Sequence, residues 1–169
     1  MRFIIIEKRL TFISKFNPKT LPFKNLPESY QLALVWYMAV DGEAWDLLGN
    51  LESAKDQKEM RKLLQSTLPE YRKKYGNKNF GMVNIPTQII KQEVMKANEI
   101  RKYKSFNNYS KSYQNKMTIP IYKLKGQWPC ILADKEYFEM SGEILQDGWH
   151  RLQVFINNGA KTIPCTFFL

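Results

Sequence analysis

Histidine and cysteine, which supply many metal ligands and nucleophiles, are scarce in this chain of 169 residues. It has one histidine, His150, and two cysteines, Cys130 and Cys165. These do not make a four-ligand zinc site, so we expect no metal held in this way. Two cysteines also do not make the disulfide framework of a small secreted domain, which favours a reduced, cytoplasmic protein. Both lie in apolar, strand-like sequence and predict buried structural thiols, with a redox pair or a nucleophile as the alternative.

Long apolar runs are also missing. No segment approaches the ~20 residues that a membrane-spanning helix needs. The apolar stretch at residues 3–6 is too short for the core of a signal peptide, and charges follow it, so it predicts a strand. Apolar residues still make up 44% of the chain and aromatic residues 14%, which is typical of globular proteins. We expect one compact domain with a substantial core.

Acidic residues are outnumbered. The chain has 26 lysines and arginines against 16 aspartates and glutamates, a formal net charge of +10. This excess favours an anionic partner, either a nucleotide, a nucleic acid or an acidic protein surface. The alternative is a compositional origin, because AT-rich coding DNA enriches lysine and asparagine.

The hydrophobic pattern of the first hundred residues predicts a strand followed by helices. Residues 2–16 resemble strand sequence, and residues 28–48 carry a helical period that Asp41-Gly42 could interrupt. Residues 52–66 predict a second helix, and Pro69 begins a new segment. A short strand at 82–86 then leads into a helix that begins at Thr87.

The last third has a different pattern, with short strands separated by turns. Strands at 117–124 and 128–132 predict a hairpin, after a short helix at 108–115. Further strands are expected at 143–147 and 163–169, with a helix at 150–158 between them. Gly159 is placed as the C-terminal cap of that helix. The fold class expected is therefore α+β.

Candidate binding chemistry concentrates in the sequence Asp147-Gly148-Trp149-His150-Arg151, where a predicted strand meets a predicted helix. Glycine lets the backbone turn sharply and lets a ligand approach closely. The first N–H groups of the helix point outward at the positive end of its dipole and can bind an anion. A guanidinium can bind phosphate through two parallel hydrogen bonds. We predict a phosphate site at Gly148, Trp149, His150 and Arg151; the alternative is a tight turn in which Arg151 pairs with a carboxylate.

Three side chains near this corner are candidate catalytic groups. His150, with an ordinary pKa near ~6.5, could act as a general acid or base. Glu143 and Asp147 stand four residues apart on the predicted strand and therefore on one face, where they could bind a divalent cation beside the phosphate. Solvation at the strand edge is the alternative for both carboxylates, and Asp147 could simply cap the helix.

Residues 143–152, followed by the sequences at 158–159 and 162–165, resemble the signature of the ParB/sulfiredoxin-like superfamily. The shared features are a strand, a D-G-x-H-R corner, a short helix, a glycine, and an Ile-Pro that opens the next strand. The hairpin predicted at 119–129 is similar to the strand that usually precedes this signature. The resemblance covers about residues 82–169 and leaves residues 1–80 as an addition.

The resemblance implies a small mixed sheet or barrel whose corner binds ATP or CTP with Mg²⁺, and some relatives are described as DNA nucleases. By the resemblance, Gly148, His150 and Arg151 would contact phosphate, and Asp147 would bind a metal or a substrate hydroxyl. Trp149 departs from the pattern, because sulfiredoxins have their catalytic cysteine there and partition proteins a glutamate. Sulfinic-acid reduction is therefore not expected. No helix-turn-helix sequence follows within this chain, so the isolated module is expected.

A basic run with interleaved aromatic rings occupies residues 101–116. Such runs bind single-stranded nucleic acid through phosphates and stacked bases. The rings also recur every three or four residues, as on the buried face of a helix. The candidate nucleic-acid-binding residues are Arg101, Lys102, Lys104 and Lys111.

We therefore expect a cytoplasmic α+β protein that binds a nucleotide or a DNA phosphate at the corner. If the protein is an enzyme, the expected activities are those of a DNA nuclease, a nucleotide-dependent phosphotransferase or an NTPase. Residues 1–80 would form an N-terminal strand and helical elaboration packed on a domain at 81–169. The alternative function is a non-catalytic basic interaction protein, for example phage-encoded, that blocks a nucleic-acid-binding partner.

Overall fold

The computed structural model describes residue 9 and residues 11–40, 57–96 and 128–169. This part of the chain contains five strands, five α-helices with defined bounds and a further helical segment at residues 9 and 11–14, and confirms the mixed α and β class. The strands are β1 (Lys19–Pro22), β2 (Asn79–Pro86), β3 (Cys130–Leu132), β4 (Leu145–Asp147) and β5 (Thr162–Phe168). The helices are α1 (Glu28–Val40), α2 (Gln57–Tyr75), α3 (Thr87–Lys96), α4 (Lys135–Ser141) and α5 (Trp149–Asn157).

The strands form one open mixed sheet in the order β1-β2-β5-β3-β4. β5 lies in the middle, antiparallel to β2 from Phe80–Phe168 to Pro86–Thr162 and parallel to β3. β1 pairs antiparallel with β2, and β4 pairs antiparallel with β3. The barrel that the family resemblance implies stays a prediction.

The sheet is covered on both faces, because side chains of successive strand residues point to opposite sides. In β3, Ile131 joins one core cluster, while Cys130 and Leu132 join the other. The first cluster holds buried residues of α1 and α2, and the second holds those of α3 and α5. The described part of residues 1–80 therefore contributes an edge strand and a helical layer to the same sheet.

The strand predicted at residues 2–16 is wrong where the structure describes it, because residues 9 and 11–14 are helical. Aromatic and β-branched composition favoured a strand. The spacing, however, puts Phe12, Ile13 and Phe16 on one helical face. Ile13 is buried, and the rings of Phe12 and Phe16 meet edge to face at 5.4 Å.

The segment boundary predicted at Pro69 is also wrong, since α2 continues through it to Tyr75. A proline inside a helix loses one hydrogen bond and costs ~3 kcal/mol. The buried face of α2 continues on both sides of it, with Leu64 and Leu68 before it and Tyr71 after it. Burying a large apolar side chain contributes ~1.5–3 kcal/mol, so this packing offsets the loss.

Several C-terminal elements are confirmed. β2 leads into α3 at Thr87, and β4, α5 and β5 follow in the expected order. Gly159 has φ +69°; its N–H donates to Ile156 O, and the Ala160 N–H donates to Phe155 O, which makes a Schellman cap. The predicted break at 41–42, the helix at 108–115 and the strand at 117–124 lie outside the described residues.

Candidate functional site

The corner between β4 and α5 depends on Gly148. This residue has φ +99°, a left-handed conformation that side chains disfavour. A Cβ atom at this position would lie 2.9 Å from the Cα of Cys130, on the neighbouring strand. The Leu152 N–H donates to Gly148 O at 2.8 Å, so α5 begins directly after the glycine. The first amides of α5 therefore lie at the turn, where the helix offers them no carbonyl acceptor.

Arg151 is buried beneath this corner, with 7% of its surface exposed. Its Nη2 donates to Asp147 Oδ2 at 2.9 Å, and this ion pair joins the strand end to the first turn of α5. Its Nε is buried and has no hydrogen-bond partner in the described part of the chain. Both nitrogens lie 3.0–3.2 Å from the place where a Gly148 Cβ would be. The turn stabilised by an Arg151–carboxylate pair, the alternative from sequence, is the arrangement observed.

The electrostatics of this position are unusual. A cation in the first turn of a helix opposes the positive end of the helix dipole. Asp147 compensates the charge of Arg151, and its side chain remains 31% exposed. The corner therefore combines the first amides of α5 with a buried guanidinium and one partly exposed carboxylate.

Cys130 forms the floor of the corner. Its Sγ–H donates to Gly148 O at 3.4 Å. Burial raises the pKa of Cys130 to about 12, with Arg151 opposing this shift and Asp147 adding to it. Cys165 is its partner in the parallel β3–β5 register, and burial, followed by the neighbouring Cys130, raises the pKa of Cys165 well above its usual value. Both thiols are free and buried, as the sequence predicted.

Glu143 and Asp147 do not lie on the same strand, contrary to the prediction that they share one face of it. β4 begins at Leu145, and Glu143 precedes it as a buried residue. The hydroxyl of Tyr137 on α4 donates to Glu143 Oε2 at 2.7 Å, whereas Asp147 binds Arg151. Within the described ranges, no group of three or more His, Cys, Asp or Glu side chains is arranged to hold a metal ion.

The other predicted site residues are placed only in part. The backbone of His150 lies in the first turn of α5, but its side chain lies outside what the structure describes. Trp149 is partly buried and packs against the second core cluster. The candidate nucleic-acid-binding residues Arg101, Lys102, Lys104 and Lys111 lie outside the described residues.

Sequence reasoning missed the residues that fix the corner in the fold. Gln146 accepts from the Asp134 N–H at 2.8 Å and donates to the Tyr37 hydroxyl, so it ties β4 to the start of α4 and to α1. The helix α4 was also not predicted. Its signals were present, because Asp134 accepts from the Tyr137 N–H as N-cap and Gly142 follows the helix with φ +70°.

A pocket of about 230 Å³ lies elsewhere, beside the end of β5 and α4. It is lined mainly by apolar side chains, with Arg9 among its polar residues. Arg9 is buried; its Nε donates to Ala133 O at 2.6 Å, and burial lowers its pKa. The residues at 147–151 do not line this pocket.

Comparisons with known proteins identify no relative of this chain. In the part of the chain that the structure describes, no helix has the length and apolar character needed to cross a membrane. No protein-family profile, curated protein or solved structure matches the chain.

Proposed function

We propose that the corner at residues 147–151 binds a phosphate group of a nucleotide or a nucleic acid. The first-turn amides of α5 would donate to the phosphate oxygens, as helix N-termini do for anions. Arg151 would act as a fixed charge below the ligand and not as a two-pronged clamp, because Asp147 already holds its Nη2.

One observation carries this proposal: a buried guanidinium whose Nε has no partner among the described residues lies against the glycine at which a helix begins. A buried donor without an acceptor costs ~1–3 kcal/mol, and more when it is charged. The helix dipole adds to the cost of the cation. An anion over the corner would offset the unfavourable interaction of the guanidinium with the helix dipole, which the Asp147–Arg151 pair offsets only in part.

ATP and CTP are the nucleotides to be tried first, on the strength of the family resemblance. The described residues do not fit a resident Mg²⁺, because Asp147 and Glu143 already have separate partners. Nuclease and phosphotransferase activities are therefore secondary proposals that depend on His150. The buried free thiols fit a reducing compartment such as the cytoplasm.

The test removes the negative and the positive partner of the Asp147–Arg151 ion pair in separate variants. Calorimetric titration with ATP, CTP and inorganic pyrophosphate would compare Asp147→Asn, Arg151→Gln and the double variant with the unmodified protein. Removing Asp147 takes a negative charge away from the ligand, so we expect tighter binding. Removing Arg151 leaves an uncompensated carboxylate, so we expect at least ~10-fold weaker binding, equivalent to ~1.4 kcal/mol. Lys62→Gln, on the exposed side of α2, is the control that removes one positive charge.

Whether Asp147→Asn raises or lowers the affinity for the ligand distinguishes an anion-binding site from a purely structural ion pair. A purely structural ion pair predicts that both single variants lose affinity together with stability, which urea denaturation would measure in parallel. Equal losses in both variants, or no heat with any of the three ligands, would overturn the proposal. A non-catalytic interaction protein would then be the better description.

A further inference from the structure

A second cationic surface lies where α2 ends, on the face of the sheet opposite to α5. We call it the α2-end surface and define it as Lys24, Lys73, Lys74 and Lys78. All four residues are exposed. They come from three local structures: the 3₁₀ helix Phe23–Asn25, the last turn of α2, and the turn that leads into β2.

Backbone hydrogen bonds bring these segments together. The Lys24 N–H donates to Gly76 O at 3.2 Å, and the Phe23 N–H donates to Lys78 O at 2.9 Å. The Cβ of Lys24 lies 3.8 Å from the place where a side chain would begin on Gly76. The Lys78 N–H donates to Tyr75 O at 2.8 Å, which fixes the turn after the helix. The surface is therefore assembled by the fold and not by a single sequence run.

Aromatic rings support two of the lysine side chains. The Nζ of Lys78 lies 5.5 Å from the ring centre of Phe168 and 5.9 Å from that of Phe80. The Nζ of Lys74 lies 4.9 Å from the ring centre of Tyr75. Such packing reduces the rotamer freedom that a lysine gives up when it binds a ligand.

The α2-end surface carries more positive charge than is needed to stabilise the dipole of α2. Basic residues in a last turn stabilise a helix by interaction with its dipole, which accounts for Lys73 and Lys74. Lys24 and Lys78 lie outside α2 and add charge without this benefit. From residue 70 to residue 78 the chain has four cations and one acid, Glu70. Arg72 is partly engaged, since its Nε donates to Gln31.

We propose that the α2-end surface binds the phosphate backbone of a nucleic acid without reading its bases. Several lysines on fixed backbone at one surface match a repeating anion, whose binding gains from the release of condensed counterions. A protein partner would need apolar anchors at the centre of its interface. Among the described residues two large apolar side chains are exposed: Met140 lies on α4, and Leu169 follows Phe168 beside the α2-end surface, so one apolar side chain borders the surface.

The experiment measures how affinity depends on salt. Fluorescence anisotropy of a labelled 20-nucleotide single-stranded DNA, and of a duplex of equal length, would be recorded over a series of NaCl concentrations. The variant carries Lys24→Gln, Lys73→Gln and Lys78→Gln. Removing one lysine–phosphate ion pair lowers the slope of log K against log salt by ~0.7 for single strands, so we expect a slope lower by ~2. The control carries Lys15→Gln, Lys62→Gln and Lys161→Gln, which remove the same charge at other exposed sites.

The control triple variant should keep the slope of the unmodified protein. Equal slopes in the two triple variants would overturn the proposal and direct attention to residues 101–116. Competition by poly-L-glutamate as strong as that by DNA at equal charge would also overturn it, in favour of an acidic protein partner. This result is distinguishable from failure of the corner, because pyrophosphate and nucleotide binding there is tested through Asp147 and Arg151.

Discussion

Gly148 is the most constrained residue of the corner, since its conformation and its neighbours both exclude a side chain. A Cβ atom at this position would meet both the Cα of Cys130 on β3 and the guanidinium of Arg151. A larger residue would have to displace the backbone of β3 or break the ion pair of Arg151. The position of the α5 amides therefore depends on this one glycine.

Gly148→Ala should lower the free energy of unfolding by ~2–4 kcal/mol, because it combines a left-handed backbone with a close approach to the Cα of Cys130. Gly142→Ala is the matched control. That glycine also has positive φ, but no atom lies within 4 Å of its added Cβ. The control should lower stability by only ~1–2 kcal/mol, the cost of the left-handed conformation. Urea denaturation measures both, and equal effects would show that the crowding against β3 relaxes without cost.

At the level of single residues, the sequence predicted part of the corner. The strand-to-helix turn follows from Gly148 and the residues around it, and the pairing of Arg151 with a carboxylate was one of two expected arrangements. The packing of Gly148 on Cys130 could not be predicted, because it joins residues on separate strands. The hydrogen bond from Tyr137 to Glu143 likewise depends on the placement of α4 beside β4.

Among the helices, α2 shows how burial outweighs local preference. Pro69 lies inside this helix, and the buried face of the helix packs on α1. Gln31 on α1 accepts from Arg72 Nε on α2 at 2.8 Å and donates to Leu26 O, in the turn before α1, at 2.8 Å. These hydrogen bonds hold the C-terminal half of α2 in place although the proline removes a backbone donor.

Pro69→Ala should therefore stabilise the protein, since the carbonyl of Gln65 gains a donor and the ring no longer presses on it. We expect a gain of ~1–3 kcal/mol, reduced by the greater freedom of the unfolded chain. Thermal denaturation would show a rise of ~2–4 °C per kcal/mol in a chain of this size. Ser66→Ala, one turn earlier, is the control for helix propensity, worth ~0.5 kcal/mol, and it also removes the exposed hydrogen bond from Ser66 Oγ to Leu63 O. A lower melting temperature for Pro69→Ala would mean that the kink itself is needed for packing.

Whether a segment is a helix or a strand was predictable where its apolar period agreed with the prolines and glycines that bound it. The strand β2, the helices α3 and α5, and the strand β5 have clear apolar periods bounded by proline or glycine. The helix α4 was not predicted because it is short and lacks buried residues, so only its caps marked it. At residues 11–14 the aromatic and β-branched composition favours a strand, whereas the spacing of Phe12, Ile13 and Phe16 favours the helix that is observed.

The whole molecule carries a net charge of +10, so it repels itself when folded. Raising NaCl from 10 to 150 mM shortens the Debye length from ~30 Å to ~8 Å. We expect the melting temperature to rise over this range. The control is a folded protein acetylated at about half of its 20 lysines, which brings the net charge near zero, so its melting temperature should respond less. A fall in the unmodified protein would show that attractive ion pairs outweigh the repulsion.

The central position of β5 has a consequence for synthesis. Its two neighbours, β2 and β3, begin at residues 79 and 130, whereas β5 begins at residue 162. A nascent chain on the ribosome therefore carries the open edges of β2 and β3 until β5 has left the exit tunnel. Unpaired edges of this kind recruit other chains. Closure of this sheet should accordingly wait for the synthesis of β5 and be sensitive to chaperone supply.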